Sequence, residues 1–189
     1  MTDETGPEQT APEQTVPGAA DAPEAAGVAD SATEPGVPTS DSGGQRCMHP
    51  DRDTYRALIG QLRSEGYWVC TDLCGVDYLG FEAPRNLPDG VRPERFEVVA
   101  NLLDPTRRRR IRIRVQVPED DPVVDSLVGI HPGVDFHERE TFDLFGIAFD
   151  GHPHLSRILL PDEWEGHPLR KDYSVGAIPV QFKAAGSAR

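Results

Sequence analysis

Between residues 51 and 66, "DRDTYRALIGQLRSEG", the apolar positions Tyr55, Leu58, Ile59 and Leu62 recur at the spacing of one helix face, i, i+3, i+4 and i+7. This spacing predicts a helix, with Asp51 or Asp53 placed to cap its start and Gly66 to end it. The period then changes. "YWVCTDLCGVDYLGF" carries aromatic and β-branched residues at strand density with a break near Gly75, and "RFEVVANLLD" predicts a second strand. In "RRIRIRVQVP" the alternation is strict: Ile111, Ile113, Val115 and Val117 share one face, and Arg110, Arg112, Arg114 and Gln116 the other. Asp104-Pro105-Thr106 supplies turn chemistry between the last two runs, and strands joined so closely pair antiparallel.

Farther along, "DPVVDSLVGI" reads as a short helix with Pro122 in its first turn, "DFHERETFDLF" as another ended by Gly146, and "IAFD" as a last short strand. This succession predicts an α+β fold, a two-layer sandwich of one mainly antiparallel sheet with helices on one face. From Gly151 onward Gly and Pro are frequent and no period is sustained, so an extended C-terminal arm with only local turns is expected. The expected organisation is a tail over 1–45, an α+β domain over 46–150 and a docking arm over 151–189.

Composition sets the tail apart. Its 45 residues hold nine Asp or Glu, six Pro, no Lys or Arg, and no Leu, Ile, Phe, Tyr or Trp. Such a segment buries too little apolar surface to offset the entropy of ordering it, so a disordered acidic tail is expected, dispensable for folding. It has neither the apolar stretch of a secretory leader nor the Arg-rich, acid-poor character of a mitochondrial one. Of the formal charge of -13, -9 falls in the tail and -4 in the remainder, which argues against a general nucleic-acid binder. No apolar run approaches the roughly 18 residues that span a bilayer, so membrane association is expected only through partners. Three cysteines, Cys47, Cys70 and Cys74, are too few for a four-thiolate zinc or iron–sulfur site, and in a chain without a leader they read as ordinary thiols of a reducing compartment.

Five of the six histidines, His131, His137, His152, His154 and His167, fall within 37 residues, and Gly-His-Pro occurs twice. A helical His-Glu-x-x-His is absent, and the prolines after His152 and His167 hold both residues extended. Rigid corners fit this grammar better than a metal site. Glu138, Glu140 and Asp143 form an acidic cluster, but i and i+2 do not share a helix face, so ion pairs with Arg139 nearby fit better than general acid/base work. Six arginines fall in 107–114; a solvated sheet face fits them better than nucleic-acid or phosphate contact, and contact with an acidic protein surface is a third reading. Phosphate-loop, dinucleotide and nucleophile-elbow patterns are absent from the sequence.

"HERETFDLFGIAFDGHPHLSRILLPDEWEGHPLRKDY", from His137 to Tyr173, closely resembles the signature region of the C-subunit family of NADH-quinone oxidoreductase, the respiratory complex I. Glu138-Arg139-Glu140, Asp143 to Ile147, Gly151-His152-Pro153, Arg157-Ile158-Leu159, Pro161-Asp162, Trp164 and Gly166 to Tyr173 carry the likeness. With "TDLCGVDY" and "RFEVVANLL" upstream it spans roughly 50–183 and leaves the acidic tail outside.

The resemblance implies a non-catalytic subunit with no cofactor of its own, in the peripheral arm on the cytoplasmic side of the cell membrane. Its partners would be the subunits forming the quinone site, with FMN and iron–sulfur centres on other chains carrying electrons from NADH to a quinone while ions are translocated. Together with the composition of the arm, it nominates Glu138, Arg139, Asp143, His152, Arg157, His167, Arg170, Lys171 and Asp172 as a partner interface. Arg170 to Asp172 in particular are expected in an extended segment with little helix or sheet of their own to support. Related subunits of membrane-bound hydrogenases and other quinone reductases, a small His-dependent metalloenzyme and an Arg-face nucleic-acid binder are the alternatives.

Overall fold

Strand β5 (Arg109–Val117) turns its alternation into burial: Ile111, Ile113, Val115 and Val117 are all enclosed. A computed structural model describes residues 36–174. Strand β4 (Phe96–Asp104) lies antiparallel to β5, with Phe96, Val98, Ala100 and Leu102 opposite Val117, Val115, Ile113 and Ile111. Strand β3 (Val69–Asp77) adds antiparallel to β4. On the far side β2 (Gln45–Met48) pairs parallel to β5, and β1 (Thr39–Ser42) antiparallel to β2, giving the order β1-β2-β5-β4-β3.

Helix α1 (Arg52–Ser64) places Tyr55, Leu58, Ile59 and Leu62 in the common core, as their spacing predicts. Asp51 stands at its N-cap position in extended conformation but makes no side-chain capping bond. Helix α2 (Asp135–Phe145) packs on β3 and ends at Gly146 in the left-handed region, φ 70°. The fold is the expected α+β sandwich with a mainly antiparallel sheet.

Three local expectations change. Val123–Asp125 is not helical but forms strand β6, parallel to β7 (Ala148–Asp150) in a separate two-stranded sheet, with Val124 opposite Phe149 and both buried. The β-branched pair is stabilised by a neighbour that only the crossover through α2 can deliver, so a local reading misses it. Gly75 does not break β3. It lies close against α2, with an added Cβ only 2.9 Å from Thr141 Cγ2 and 3.0 Å from Phe145 Cδ2. Finally, β1 falls inside the residues assigned to the tail. Its polar "TSDS" needs no core, because β2 satisfies its backbone and Ser40 Oγ meets His49 Nε2 at 2.8 Å. The rest of the assigned tail, 1–35, and of the arm, 175–189, lies outside the described residues.

The close approach at Gly75 yields a stability prediction. Gly75→Ala should push α2 off β3 and destabilise the chain by about 1–3 kcal/mol, the usual range for overpacking. Urea unfolding measures this, and an unchanged midpoint would contradict the contact.

Candidate functional site

Helix α2 presents a polar side inward: Glu138, Thr141 and Asp143 are its buried residues, while Phe136 is exposed. Each carboxylate ties down a different neighbouring segment. Glu138 Oε2 accepts from Ser126 Oγ at 2.6 Å and Oε1 from the Leu127 amide at 2.6 Å, holding the chain that leaves β6. Asp143 Oδ2 accepts the amides of Ile158, Leu159 and Leu160 at 3.0, 2.8 and 2.9 Å, and Oδ1 takes Arg157 Nη1 at 2.7 Å. Three successive amides turned onto one oxygen make an anion nest, and a carboxylate in such a nest favours its charged form.

The two acids consequently titrate in opposite directions. Burial raises Asp143, but the amides of Leu160, Leu159 and Ile158 with Arg157 outweigh it and leave its pKa below the ordinary value. Burial dominates at Glu138; the Ser126 and Leu127 bonds offset only part of it, and the carboxyl is pushed up to about 7. His152, whose side chain is fully enclosed, lies next to it. Its Nδ1 accepts the His154 amide at 3.0 Å, so the neutral ring carries its proton on Nε2. Nε2 is 3.3 Å from Asp135 Oδ1 and 3.9 Å from Glu138 Oε2, near enough for electrostatic contact but out of line for a hydrogen bond.

The second Gly-His-Pro segment completes the C-terminal end of α2, whose last carbonyls have no partner inside the helix. Phe142 O accepts the Gly146 amide, Asp143 O accepts His167 Nδ1 at 2.9 Å, Leu144 O accepts the Leu169 amide at 3.0 Å, and Phe145 O accepts Arg170 Nε at 2.6 Å. Because a carbonyl only accepts, the His167 proton sits on Nδ1. Burial, together with Arg170 and Arg157, holds the His167 pKa below its usual value. The Arg170 guanidinium also lies over the Phe96 ring at 5.1 Å and, as a cation at a helix C-terminus, opposes the helix dipole. Gly146 is required here, since a Cβ would come within 2.5 Å of His167 Nε2.

Beyond this cap, the Lys171 amide donates to Asp77 Oδ2 at 2.8 Å, and Arg95 Nη2 bridges Asp77 at 3.0 Å and Asp172 at 2.7 Å. Arg139 donates to the carbonyls of Ser156 and Arg157, both at 3.2 Å. Arg170 to Asp172 therefore do support secondary structure, which corrects the expectation of an unsupported segment: they close the end of α2 and the end of β3. Of the nominated interface residues, Glu138, Asp143, His152, Arg157, His167 and Arg170 have their polar groups engaged or enclosed within the chain, while Lys171 is exposed. Sequence reasoning missed Asp77, Arg95 and Ser126, whose only local signal is polarity at strand ends. Around the pinned arm Phe136, Leu159 and Leu169 stand 62%, 60% and 48% exposed. Among the described residues no group of three or more His, Cys, Asp or Glu converges as a metal site, and no helix is long and apolar enough to cross a membrane.

Fold and site together define an α+β module carrying an irregular arm fixed by ionic and backbone contacts to its last helix. Residues 48–178 match the family described as respiratory-chain NADH dehydrogenase, 30 Kd subunit, and the chain belongs to that family. It is 45% identical over 145 residues to the C subunit of NADH-quinone oxidoreductase from Saccharopolyspora erythraea, covering 75% of this chain and 54% of that one. The corresponding protein of Herpetosiphon aurantiacus is 42% identical over 155 residues, with 80% and 84% covered, and that of a Roseiflexus species 55% identical over 111 residues, with 59% and 58% covered. The chain thus spans about half the length of the Saccharopolyspora relative. The solved trypsin-resistant fragment of Nqo5 superposes with a TM-score of 0.57 at 35% identity, covering 64% of this chain and 91% of that one. A chain of the membrane-bound sulfane sulfur reductase, an archaeal respiratory membrane complex, shares the fold with a TM-score of 0.61 at 18% identity, covering 82% and 92%.

The buried Glu138 sets a pH dependence. Its pKa in the folded chain, about 7, lies above the ordinary 4.5, so folding favours the protonated form. This group's contribution is therefore greatest below pH 4.5, falls as pH rises towards 7 and levels off above it, with a total on the order of 3 kcal/mol. Glu138→Gln, uncharged throughout, should unfold with less stability loss between pH 5 and 8 than the parent. Identical pH slopes would contradict the assignment.

Proposed function

We propose that this chain is a cofactor-free, non-catalytic peripheral-arm subunit of a proton-translocating NADH-quinone oxidoreductase, seated on the cytoplasmic side of the cell membrane through its partners. In this reading FMN and iron–sulfur centres on other subunits pass electrons from NADH to a quinone, and this chain braces the subunits that form the quinone site. The observation that carries it is the family match over 48–178, which takes in both helices, strands β3 to β7 and the pinned arm. Exposed side chains support a docking role: Phe136 on α2, with the Arg139 guanidinium over its ring, and Leu159 and Leu169 on the arm stand exposed, and exposed apolar surface marks interaction sites. Glu138, Asp143, His152, Arg157, His167, Arg170 and Asp172 act from behind, fixing the shape that the partner meets.

A tagged full chain extracted from membranes should bring the other subunits of an NADH:quinone oxidoreductase with it; recovery with an unrelated membrane complex, or alone, would contradict the reading. A sharper test replaces Leu159 and Leu169 with Asp. Being exposed, both changes should leave the melting temperature of the full chain within roughly 2 °C. Recovery in the membrane-extracted complex should drop roughly tenfold or more, as for apolar anchors removed from an interface. A variant recovered as well as the parent removes the arm as the docking face.

A further inference from the structure

The register of β4 and β5 divides the arginine run into two sets. Asp104, buried at the end of β4, accepts the Arg107 amide at 2.9 Å, Arg107 Nη1 at 3.3 Å and Arg109 Nη2 at 2.9 Å. Glu97, buried on the opposite sheet face, takes Arg114 Nε at 2.8 Å and Arg85 Nη2 at 3.2 Å. Arg107, Arg109 and Arg114 thus each have a carboxylate partner. The remaining three are differently placed: Arg108 and Arg110 are exposed, and Arg112 is half-buried with Nε on the neutral Asn101 Oδ1 at 3.0 Å. Among the described residues no carboxylate lies within 4.0 Å of any of the three guanidinium groups.

Arg110 and Arg112 alternate with buried Ile111 and Ile113, so they stand on the face turned away from the helices, roughly 7 Å apart along one strand. Leu103 lies opposite Arg110 in the register, Arg112 lies between Cys47 on β2 and Asn101 on β4, and Asp72 on β3 stands one strand beyond Asn101. Two like charges side by side repel, and among the described residues neither has a direct carboxylate partner. We propose that this sheet face, centred on Arg110 and Arg112, docks a carboxylate-bearing surface of a neighbouring subunit. Asn101 holds the Arg112 guanidinium in place before any partner arrives, which lowers the ordering cost of a charge-assisted contact. The partner is a protein surface and not a nucleic acid, because the strip offers no aromatic ring for bases to stack on and the chain from 46 to 189 carries a formal charge of -4.

The inference rests on the reading of the chain as a subunit of a larger complex, and one experiment separates the two. The full chain with Arg110→Glu and Arg112→Glu should melt within roughly 2 °C of the parent, since neither side chain has an ionic partner among the described residues. Its recovery in the membrane-extracted complex should fall roughly tenfold. In a second variant, Arg110→Lys and Arg112→Lys keep the charge and supply amines, so carbodiimide should join them to Asp or Glu of another subunit in the assembled complex. Parent-like recovery of the Glu variant overturns the proposal, as do cross-links only to carboxylates of this chain, cross-links to none, or release of the complex by nuclease. If the parent chain itself brings no complex from membranes, it is the subunit reading that fails.

Discussion

The Asp143 carboxylate is the constraint on which the rest of the site depends. A charged group with no exposure is costly unless its lone pairs are met, and here the amides of Ile158, Leu159 and Leu160 with Arg157 meet them. No regular element follows β7 among the described residues, so the arm has no ladder of its own to hold a course. The nest supplies what a ladder would otherwise supply. It sets the path of 157–160, and that path carries Leu159 to the surface.

From this anchor the chain reaches the C-terminal end of α2, where His167, Leu169 and Arg170 cap carbonyls that a helix always leaves open. Helix and arm thus complete each other. The fully buried residues of α2 are polar, with Phe145 packed against the core, and the described part of the arm has no helix or strand; each supplies the other's missing partners. Glu138 does the same for the chain leaving β6, at the cost of a carboxyl that titrates near neutrality. Surface presentation in this module is therefore set by buried polar contacts more than by apolar burial.

What was legible in the sequence is what depends on local period. The α1 spacing of Tyr55, Leu58, Ile59 and Leu62 and the alternation of β5 both became core, because neighbouring residues alone decide which face is apolar. Strand β6 was not legible, since three residues form a strand only when β7 lies beside them. Gly75 looked like a break because the reason for a glycine there sits on another element. The roles of Glu138 and Asp143 were hidden similarly: four of their partners are backbone amides, which carry no residue identity. The histidine pattern predicted corners, and Gly151 and Gly166 do have positive φ, yet it gave no hint that His167 caps a helix while His152 is enclosed beside two carboxylates. A usable signal lay in α2 itself, where Glu138, Thr141 and Asp143 occupy the positions that face inward and Phe136 does not. Half of the arginine run found its purpose in Asp104 and Glu97, which the alternation could not name.

The central claim is that one carboxylate holds the arm to the helix, and amide hydrogen exchange measures it directly. In the full chain the amides of Ile158, Leu159 and Leu160 should exchange slowly, and in Asp143→Asn they should exchange at least roughly tenfold faster while those of β4 and β5 keep their protection. Equal exchange at 158–160 in parent and variant, or loss of protection throughout the sheet, would contradict the account.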